Sequence, residues 1–415
     1  MEYGLIGKNL AHSYSVQIHR AFGNTKYELV NVAKEEFEDF AMLRDFKGIN
    51  VTIPYKQDIL EYCDYISDAV KEIGSANTII NRGGKLYAYN TDFFGFMQML
   101  KGDGGLNEKI EVKNKVVGVL GFGGAARTVI HALSKLGASK IFVFSMRAGD
   151  AKVENDEIFA KILNASVVSY GDENAAKKCE VLVNTTPIGM FPDIDVPAAD
   201  LEDFPNVTAV CDLIYNPFRT RFMVEAKNRG CKVCGGLTML IAQGWLAEML
   251  FSGKVEDENA EDAWEEDRCY AIGEKFNNYI IVGMPGCGKT TYGRNIAKEQ
   301  HLLFLDSDED FEKEHDISPA DYIIKYGEEK FRKEEYKILK RYAGKIGCVI
   351  ATGGGAVTTK EARILLRQLG MVVYLTRDIE ELDVSGRPLS EGGKALERLF
   401  AERDPLYKEV SDVVL

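Results

Sequence analysis

The sequence lacks long hydrophobic runs, although it has 415 residues. No stretch approaches the roughly 18 consecutive apolar residues that a membrane-spanning helix needs. The first residues also lack the basic segment followed by an apolar one that marks a secretory signal peptide. We therefore expect a cytoplasmic protein that has no membrane partner.

Basic residues do not outnumber acidic ones. The chain has 51 Lys and Arg against 64 Asp and Glu, which gives a formal net charge of -13. Broad nucleic-acid binding needs a basic surface, so nucleic acid is not an expected partner. Small anions stay open as substrates, because a local group of cations and backbone N–H groups is enough to bind them.

Paired cysteine motifs are also scarce. Of the eight cysteines, only Cys231 and Cys234 form a C-x-x-C motif, and no second pair completes a zinc site. We therefore expect ordinary reduced cysteines and no disulfide bond.

Short apolar segments alternate with helical patterns along most of the chain, which predicts an α/β protein with parallel sheets. A chain of 415 residues favours two or three domains. The clearest predicted strands are residues 116–120, 140–144, 181–184, 279–282 and 348–351. An acidic run with few apolar residues breaks the pattern at 254–278, and we predict a solvated linker there, with Trp264 as its candidate anchor.

A glycine-rich turn follows the predicted strand at 116–120. Its spacing, Gly121-x-Gly123-x-x-Ala126, is that of a dinucleotide-binding βαβ unit. The first glycine permits the tight turn, the second lets the backbone approach a pyrophosphate, and the small third residue lets the helix pack on the strand. The expected cofactor-binding residues of this turn are Gly121, Gly123, Gly124 and Ala125.

The end of the next strand indicates which dinucleotide binds. NAD sites place Asp or Glu there to hold the ribose 2′-hydroxyl, but this chain has Ser145-Met146-Arg147. A hydroxyl and a cation suit a 2′-phosphate, so the sequence predicts NADPH over NADH, with Arg147 at the phosphate. The alternative is that Arg147 is an ordinary solvated residue after a strand.

Clusters of polar residues before this turn, at 12–15, 48–56, 75–78 and 90–92, have no obvious structural purpose. A polyhydroxylated anion needs such hydroxyls, amides and a cation. In order and content these clusters, together with Asn184–Met190, Asp212–Pro217 and Gly235–Gln243, resemble the shikimate dehydrogenase family over residues 3–253. The residues that the resemblance places at the shikimate site are Ser13, Ser15, Thr52, Asn77, Asp92, Tyr215 and Gln243, and those beside the nicotinamide are Gly236 and Met239.

The resemblance implies a two-lobed enzyme that reduces 3-dehydroshikimate to shikimate with NADP(H). Lys56 is the expected proton donor, because a cation beside the ketone oxygen also stabilises the developing alkoxide. Asp92 is expected to pair with Lys56 and to accept a hydrogen bond from a substrate hydroxyl. The alternative is that Lys56 and Asp92 form a purely structural ion pair.

A second glycine-rich turn, of a different kind, follows the predicted strand at 279–282. Residues 283–290 fit the G-x-x-x-x-G-K-[ST] phosphate-binding loop. The N–H groups of such a loop cradle phosphates, its lysine reaches the β- and γ-phosphate oxygens and its threonine ligates Mg²⁺, so the sequence predicts ATP and Mg²⁺. The expected nucleotide-binding residues are Gly283, Gly286, Cys287, Gly288, Lys289, Thr290 and Thr291.

Four motifs after this loop indicate the phosphoryl acceptor. They are a strand end with two carboxylates, an Arg–Glu pair one helical turn apart, a triple glycine that lets backbone approach a ligand, and two late arginines. Their residues are Asp306, Asp308, Arg332, Glu335, Gly353–Gly355, Arg387 and Arg403. This set resembles the shikimate kinase family over residues 279–415.

The kinase resemblance implies a role for each side chain near the phosphates. Thr290 and Asp306 would organise Mg²⁺, and Lys289 would contact the transferred phosphate. Asp308 would contact the acceptor hydroxyl and act as its base, and Arg387 would stabilise the transferring phosphoryl group from a mobile lid.

The same resemblance implies a site for the acceptor ring. Arg332 and Arg403 would clamp the substrate carboxylate, since bidentate arginines suit that group, with Gly354 and Gly355 beside the ring. The segment at 381–393 is short for a lid, and the chain ends at Leu415, where such kinases usually carry another strand and helix. We therefore expect either a compact variant or a weak kinase.

Together the two resemblances predict a bifunctional enzyme of chorismate and aromatic amino acid biosynthesis, which makes shikimate and then phosphorylates it. The alternative is a quinate/shikimate dehydrogenase with a degenerate, nucleotide-sensing kinase module. The predicted domains are a shikimate-binding α/β lobe at 1–100, a Rossmann NADP-binding lobe at 101–253, the acidic linker at 254–278 and a P-loop kinase domain with a parallel sheet at 279–415. The sequence does not indicate an oligomeric state.

Overall fold

The computed structural model describes residues 1–10, 13–103, 107–150, 156, 159–382 and 393–415. The chain forms two compact units that alternate along the sequence. The first unit contains Met1–Pro187, Ala198–Tyr215 and Ala226–Gly273, and the second contains Ile188–Pro197, Asn216–Glu225 and Glu274–Leu415. Within the described ranges, no helix is long and apolar enough to cross a membrane.

The first lobe of the first unit is built on a six-stranded sheet. Its strands are β1 (Tyr3–Gly7), β2 (Tyr27–Asn31), β3 (Gly48–Val51), β4 (Tyr65–Ile66), β5 (Thr78–Arg82) and β6 (Lys85–Tyr89). Its helices are α1 (Ser15–Ala21), α2 (Phe37–Leu43), α3 (Asp68–Ile73) and α4 (Thr91–Lys101), with a 3-10 helix at Asp58–Tyr62. The order is β2-β1-β3-β5-β6-β4, and β5 runs antiparallel to β3 and β6, which the sequence did not indicate.

The second lobe of this unit is a fully parallel six-stranded sheet. Its strands are β7 (Val116–Leu120), β8 (Lys140–Phe144), β9 (Ala165–Val168), β10 (Val181–Asn184), β11 (Ala209–Asp212) and β12 (Lys232–Gly235), in the order β12-β11-β10-β7-β8-β9. Its elements also include α5 (Gly124–Lys135), α6 (Glu173–Ala176), α8 (Gly236–Phe251) and 3-10 helices at Phe159–Lys161 and Leu201–Asp203. Helix α7 (Arg221–Asn228) begins in the second unit and ends in this one. The central strands are almost entirely Val, Leu and other apolar residues, because a parallel sheet is buried on both faces.

Two helices pack closely where the lobes of the first unit meet. A Cβ atom on Gly95 of α4 would lie only 2.6 Å from the carbonyl oxygen of Met239 on α8. Glycine therefore allows the backbones of α4 and α8 to come within contact distance. This contact brings a helix of the substrate lobe beside a helix of the dinucleotide lobe.

The predicted linker at 254–278 is largely folded. A 3-10 helix (Glu261–Ala263) and α9 (Glu266–Glu274) occupy it, and residues through Gly273 belong to the first unit. Trp264 packs edge-on against Trp245 at 5.1 Å between ring centroids. The Glu258 carboxylate accepts hydrogen bonds from the Ser67 hydroxyl and from the Asn90 N–H.

The second unit is built on a parallel five-stranded sheet. Its strands are β13 (Tyr279–Val282), β14 (Leu303–Asp306), β15 (Cys348–Ala351), β16 (Met371–Tyr374) and β17 (Val413–Val414), in the order β14-β15-β13-β16-β17. Its helices are α10 (Lys289–Gln300), α11 (Ser307–His315), α12 (Pro319–Tyr326), α13 (Glu328–Tyr342), α14 (Lys360–Leu369) and α15 (Gly393–Val410), with a 3-10 helix at Ile379–Glu381. The last residues therefore supply an edge strand, contrary to the expectation that a further strand is missing.

Two short segments from earlier in the chain complete the second unit. Ile194 is fully buried in its hydrophobic core, and its carbonyl accepts a hydrogen bond from Gln368 at 2.9 Å. The Arg219 guanidinium donates to both carboxylate oxygens of Asp412, at 3.0 and 3.1 Å. A buried apolar anchor and a bidentate ion pair thus fix these segments within the unit.

Candidate active sites

The predicted catalytic pair of the first unit is formed. Lys56 follows β3, and Asp92 is the second residue of α4, whose N-terminus is capped by the Asn90 side chain. Lys56 Nζ lies 2.6 Å from Asp92 Oδ2. The Lys56 and Asp92 side chains are only 14% and 11% exposed. Because little water surrounds the ion pair, the attraction between the two charges is only weakly screened.

Amide and hydroxyl groups form a buried network next to this pair. Asn77 Nδ2 donates to Gln243 Oε1 and to Thr91 Oγ1, each at 3.0 Å, and Asn77 Oδ1 accepts from the Thr91 N–H at 2.7 Å. Asn77 and Gln243, which are far apart in sequence, are thus brought together as predicted for a common pocket. The sequence prediction missed Thr91, although it stands directly before Asp92.

The remaining predicted substrate residues lie at the ends of neighbouring elements. Ser13 Oγ donates to Ser15 Oγ at 3.0 Å, and the Tyr215 hydroxyl also hydrogen bonds with Ser13. Burial raises the pKa of Tyr215, although the bond from Ser13 opposes this, so Tyr215 is a neutral hydroxyl. Thr52 follows β3 and packs against Gly7 at the end of β1.

The first glycine-rich turn has the geometry of a dinucleotide site. Gly121 has a φ of 97°, a conformation that favours glycine, and a Cβ there would lie 2.8 Å from the Thr186 methyl group. A Cβ on Gly123 would meet nothing within 4 Å, so open space adjoins the backbone where a pyrophosphate is predicted. Helix α5 begins at Gly124, next to Ala125, and its N-terminal N–H groups favour an anion.

The glycine-rich turn and Lys56, the predicted proton donor, lie close together. A Cβ on Gly124 would lie 3.8 Å from Lys56 Cδ. On the other side, α8 begins at Gly236, where any Cβ would collide with the Leu213 carbonyl, and Met239 is buried one turn later. Arg147 is exposed just after β8, and its backbone N–H donates to the Ser145 hydroxyl at 3.0 Å. The predicted nicotinamide and 2′-phosphate residues therefore follow strands of one sheet.

The second glycine-rich turn forms a phosphate cradle in the second unit. Gly283, Gly286 and Gly288 all have positive φ, at 152°, 83° and 92°, which side chains would strain. Lys289 Nζ donates to the carbonyls of Gly283 and Met284, each at 2.9 Å, so the ammonium group lies across the loop.

The residues predicted to organise magnesium are adjacent. Thr290 Oγ1 donates to Asp306 Oδ2 at 2.8 Å. The described part of the chain holds no group of three His, Cys, Asp or Glu side chains that could cage a metal. One carboxylate and one hydroxyl beside a phosphate cradle fit Mg²⁺, which keeps several waters and takes its other ligands from substrate phosphates.

The structure corrects the setting of Asp308. The sequence predicted a strand through this residue, but β14 ends at Asp306 and α11 begins at Ser307. The reason is a cap: Asp306 Oδ1 accepts the N–H groups of Asp308 and Glu309, which starts the helix. Asp308 therefore lies in the first turn of α11.

Burial and like charges perturb the acids of this site. Burial, and after it the nearby carboxylates of Glu335 and Asp306, raise the pKa of Asp308 to about 6. Burial also raises the pKa of Glu335, although its ion pair with Arg332 at 2.7 Å opposes the shift. A carboxyl group with a pKa near the working pH suits a general base.

The arginine and glycine motifs line one cavity with the phosphate loop. The Arg403 guanidinium and the Tyr407 hydroxyl both donate to the Gly354 carbonyl. A side chain on Gly355 would collide with the Arg332 guanidinium. The cavity has a volume of about 510 Å³, and its wall includes Thr291. Tyr407 was not predicted, and Arg387 lies outside the described residues.

Comparisons with known proteins decide the family. Residues 5–79 match the model of the shikimate dehydrogenase substrate binding domain, and residues 285–415 match the shikimate kinase model. The shikimate dehydrogenase (NADP(+)) of Clostridium beijerinckii is 41% identical over 258 residues, which are 60% of this chain and 91% of that protein. The chain belongs to the shikimate dehydrogenase family. Its second unit carries a shikimate kinase domain.

Solved structures of shikimate dehydrogenases agree with the fold of the first unit. A Thermus thermophilus enzyme in complex with NADP(H) and shikimate is 30% identical, with a TM-score of 0.55, and the match covers 66% of this chain and 98% of that one. A chorismate mutase/shikimate 5-dehydrogenase fusion from Clostridium acetobutylicum is 32% identical, with a TM-score of 0.55 over 66% and 95%. The predicted fold class and the prediction of a bifunctional shikimate-pathway enzyme that uses NADP and ATP are confirmed.

Proposed function

We propose that this shikimate dehydrogenase–kinase chain reduces 3-dehydroshikimate to shikimate with NADPH, and then transfers the γ-phosphoryl group of ATP, with Mg²⁺, to shikimate to give shikimate 3-phosphate. The observation that carries the first half is the contact of Lys56 with Asp92 beside the dinucleotide turn at Gly124. The second half rests on the cavity that joins the phosphate cradle to Asp308 and two arginines.

The first reaction needs a proton donor at the ketone oxygen. NADPH supplies the hydride, and Lys56 gives a proton to the oxygen as its negative charge develops. Asp92, 2.6 Å from Lys56, orients the ammonium group and accepts a hydrogen bond from a ring hydroxyl. The amides of Asn77 and Gln243 offer donors and acceptors to the other hydroxyls.

The carboxylate of the same ring needs neutral or cationic donors. The hydroxyls of Ser13, Ser15 and Tyr215 lie together and would bind it. Neutral donors are sufficient for such a carboxylate, because several hydrogen bonds to an anion are each stronger than those to a neutral group.

The second reaction needs a base for the attacking hydroxyl, cations that bind the acceptor carboxylate, and positive charge beside the phosphates. Asp308, with its raised pKa, accepts the proton of the attacking hydroxyl. Arg332 and Arg403 bind the carboxylate of the acceptor. Lys289 moves from the loop carbonyls to the phosphates, and Thr290 with Asp306 would hold Mg²⁺, which neutralises developing phosphate charge.

The test uses the full chain with 3-dehydroshikimate, NADPH, ATP and Mg²⁺, followed by product identification. We expect shikimate 3-phosphate, with one NADPH oxidised and one ATP consumed per product, and shikimate alone when ATP is left out. Faster oxidation of quinate with NAD⁺ than of shikimate with NADP⁺ would favour a quinate dehydrogenase. Binding of ATP without its consumption in the presence of shikimate would favour a nucleotide sensor.

A further inference from the structure

A buried histidine–glutamate pair lies behind the proposed shikimate pocket. His19 of α1 is 1% exposed, and its Nδ1 lies 2.5 Å from Oε1 of Glu248 on α8. Asn24 Nδ2 donates to the same carboxylate oxygen at 2.9 Å. The Tyr27 ring stacks on the imidazole with 3.6 Å between centroids. Burying two ionisable side chains is unfavourable unless they are well paired, so this arrangement calls for a purpose.

The pair joins the two helices that carry proposed substrate ligands. His19 stands one turn after Ser15 on α1, and Glu248 stands one turn after Gly244 on α8. Gly244 lets the helices approach, because a Cβ there would lie 3.0 Å from Ile18 Cγ2. Its neighbour Gln243 faces the pocket. The His19–Glu248 contact therefore sets how α1 sits on α8, and with it the spacing of Ser15 and Gln243.

Contacts also lead from His19 to the amides of the pocket. The Tyr27 ring, which stacks on the imidazole, donates its hydroxyl to Asn50 Oδ1 at 2.7 Å. Asn50 Nδ2 in turn donates to Thr78 Oγ1 at 2.9 Å. Thr78 Oγ1 donates to Asn77 Oδ1 at 3.1 Å, and Asn77 Nδ2 donates to Gln243 Oε1 at 3.0 Å. Each step fixes the orientation of the next amide, as in other buried polar networks.

We propose that the His19–Glu248 pair is a positioning element, which holds Ser15, Asn77 and Gln243 in the arrangement that binds the shikimate ring. It touches neither substrate nor cofactor and acts only through its neighbours. The inference rests on the proposed function of the first unit. Activity of the unaltered chain tests that function, whereas only the variants below test the positioning role.

The test compares the kinetic constants of His19→Phe with those of the unaltered chain. Phenylalanine keeps a ring against Tyr27 but removes the bond to Glu248. We measure shikimate oxidation with NADP⁺ by the first unit. In this reaction we expect the KM for shikimate to rise about tenfold, while the KM for NADP⁺ changes less than twofold. The shikimate kinase activity of the same chain serves as an internal standard for the amount of folded protein.

A second variant keeps the inference testable if His19→Phe does not fold. Glu248→Gln keeps the size and one acceptor oxygen but loses the charge, so we expect a smaller rise, about threefold, in the KM for shikimate. The matched control is His131→Phe, since His131 is also buried and its carboxylate partner at 3.2 Å, Glu72, is not a proposed binding residue.

The control separates positioning from stability. We expect His131→Phe to leave the KM for shikimate unchanged even if it lowers the melting temperature. The proposal is wrong if His19→Phe and Glu248→Gln lower the melting temperature without raising this KM, or if the KM for NADP⁺ rises by the same factor.

Discussion

The two catalytic sites of this chain hold their charges differently. In the first unit one ammonium group meets one carboxylate, Lys56 with Asp92, at 2.6 Å. In the second unit Glu335 is buried and Asp308 is half-buried, and Gly353 packs against both carboxyl groups. Within the described residues, Arg332 Nε and Glu335 Oε1 are buried and have no hydrogen-bond partner.

This difference indicates how much each site depends on its ligand. The dehydrogenase pair is neutralised before any substrate arrives, so ligand binding changes its electrostatics little. The kinase site keeps two neighbouring carboxyl groups and buried hydrogen-bonding atoms without partners, which costs stability until a ligand binds. The predictions below test this contrast, beginning with the largest expected effect.

Removing the ammonium group of the first site should nearly abolish its reaction. We expect Lys56→Met to lower the kcat for 3-dehydroshikimate reduction by about 10²–10⁴-fold, because both the proton and the charge at the oxygen are lost. Phosphorylation of shikimate by the same protein should be unchanged. Lys34→Met, at an exposed lysine, is the control. A kcat within threefold of the original would show that the ion pair is only structural.

Asp308→Asn should have its largest effect on the kinase reaction. The substitution removes the proposed general base, so we expect kcat for phosphorylation to fall by about 10²–10³-fold. In the unaltered chain the pKa of Asp308 is about 6, so kcat/KM for phosphorylation should rise as the pH increases through 6 and this carboxyl loses its proton. A rise that persists in the variant would assign it to another group.

The same variant should stabilise the protein. Because the pKa of Asp308 is raised on folding, the protonated form favours the native state, and that contribution is lost as the pH rises from about 4 to about 6. Asparagine carries no charge at any pH, so the variant should gain on the order of 1–3 kcal/mol in unfolding free energy at pH 7, and little at pH 3. Urea titration at both pH values measures this, and equal stability at pH 7 would contradict it.

A small change behind the carboxylate clamp should weaken acceptor binding. A methyl group at Gly355 would collide with the Arg332 guanidinium. We expect Gly355→Ala to raise the KM for shikimate in the kinase reaction by about 10–100-fold, with no change in the dehydrogenase KM. If the kinase KM stayed the same, Arg332 would not bind the acceptor.

The smallest effect concerns the choice of dinucleotide. We expect Arg147→Ser to raise the KM for NADPH about tenfold, because a charge-assisted bond to the 2′-phosphate is lost. The KM for NADH should not change, since NADH has no such phosphate. Equal losses with both cofactors would refute the assignment of Arg147.

Local motifs could be predicted from the sequence better than tertiary contacts could. The strands Val116–Leu120, Val181–Asn184 and Tyr279–Val282 have the predicted bounds, because each apolar run ends abruptly at a polar or glycine-rich turn. The prediction of both phosphate-binding turns needed only spacing. The antiparallel β5 could not be predicted, because strand direction depends on pairing across the sheet.

The errors have a common physical origin, which is burial that composition does not reveal. Residues 254–278 are acidic, so the sequence predicted a solvated linker. The Glu258 carboxylate instead accepts a hydrogen bond from the Asn90 N–H. Trp264 packs on Trp245, as expected of the candidate anchor. The raised pKa of Asp308 likewise depends on Glu335, which comes close only in the folded unit.

The alternation of the two units along the chain has a consequence for dissecting the enzyme. The polypeptide passes from one unit to the other at 187–188, 197–198, 215–216, 225–226 and 273–274. A protease that cleaves between Gly273 and Tyr279 would therefore release no intact kinase, because Ile194 and Arg219 would remain on the amino-terminal product. The two compact units are interleaved in one polypeptide, so a single cut between Gly273 and Tyr279 does not separate them completely.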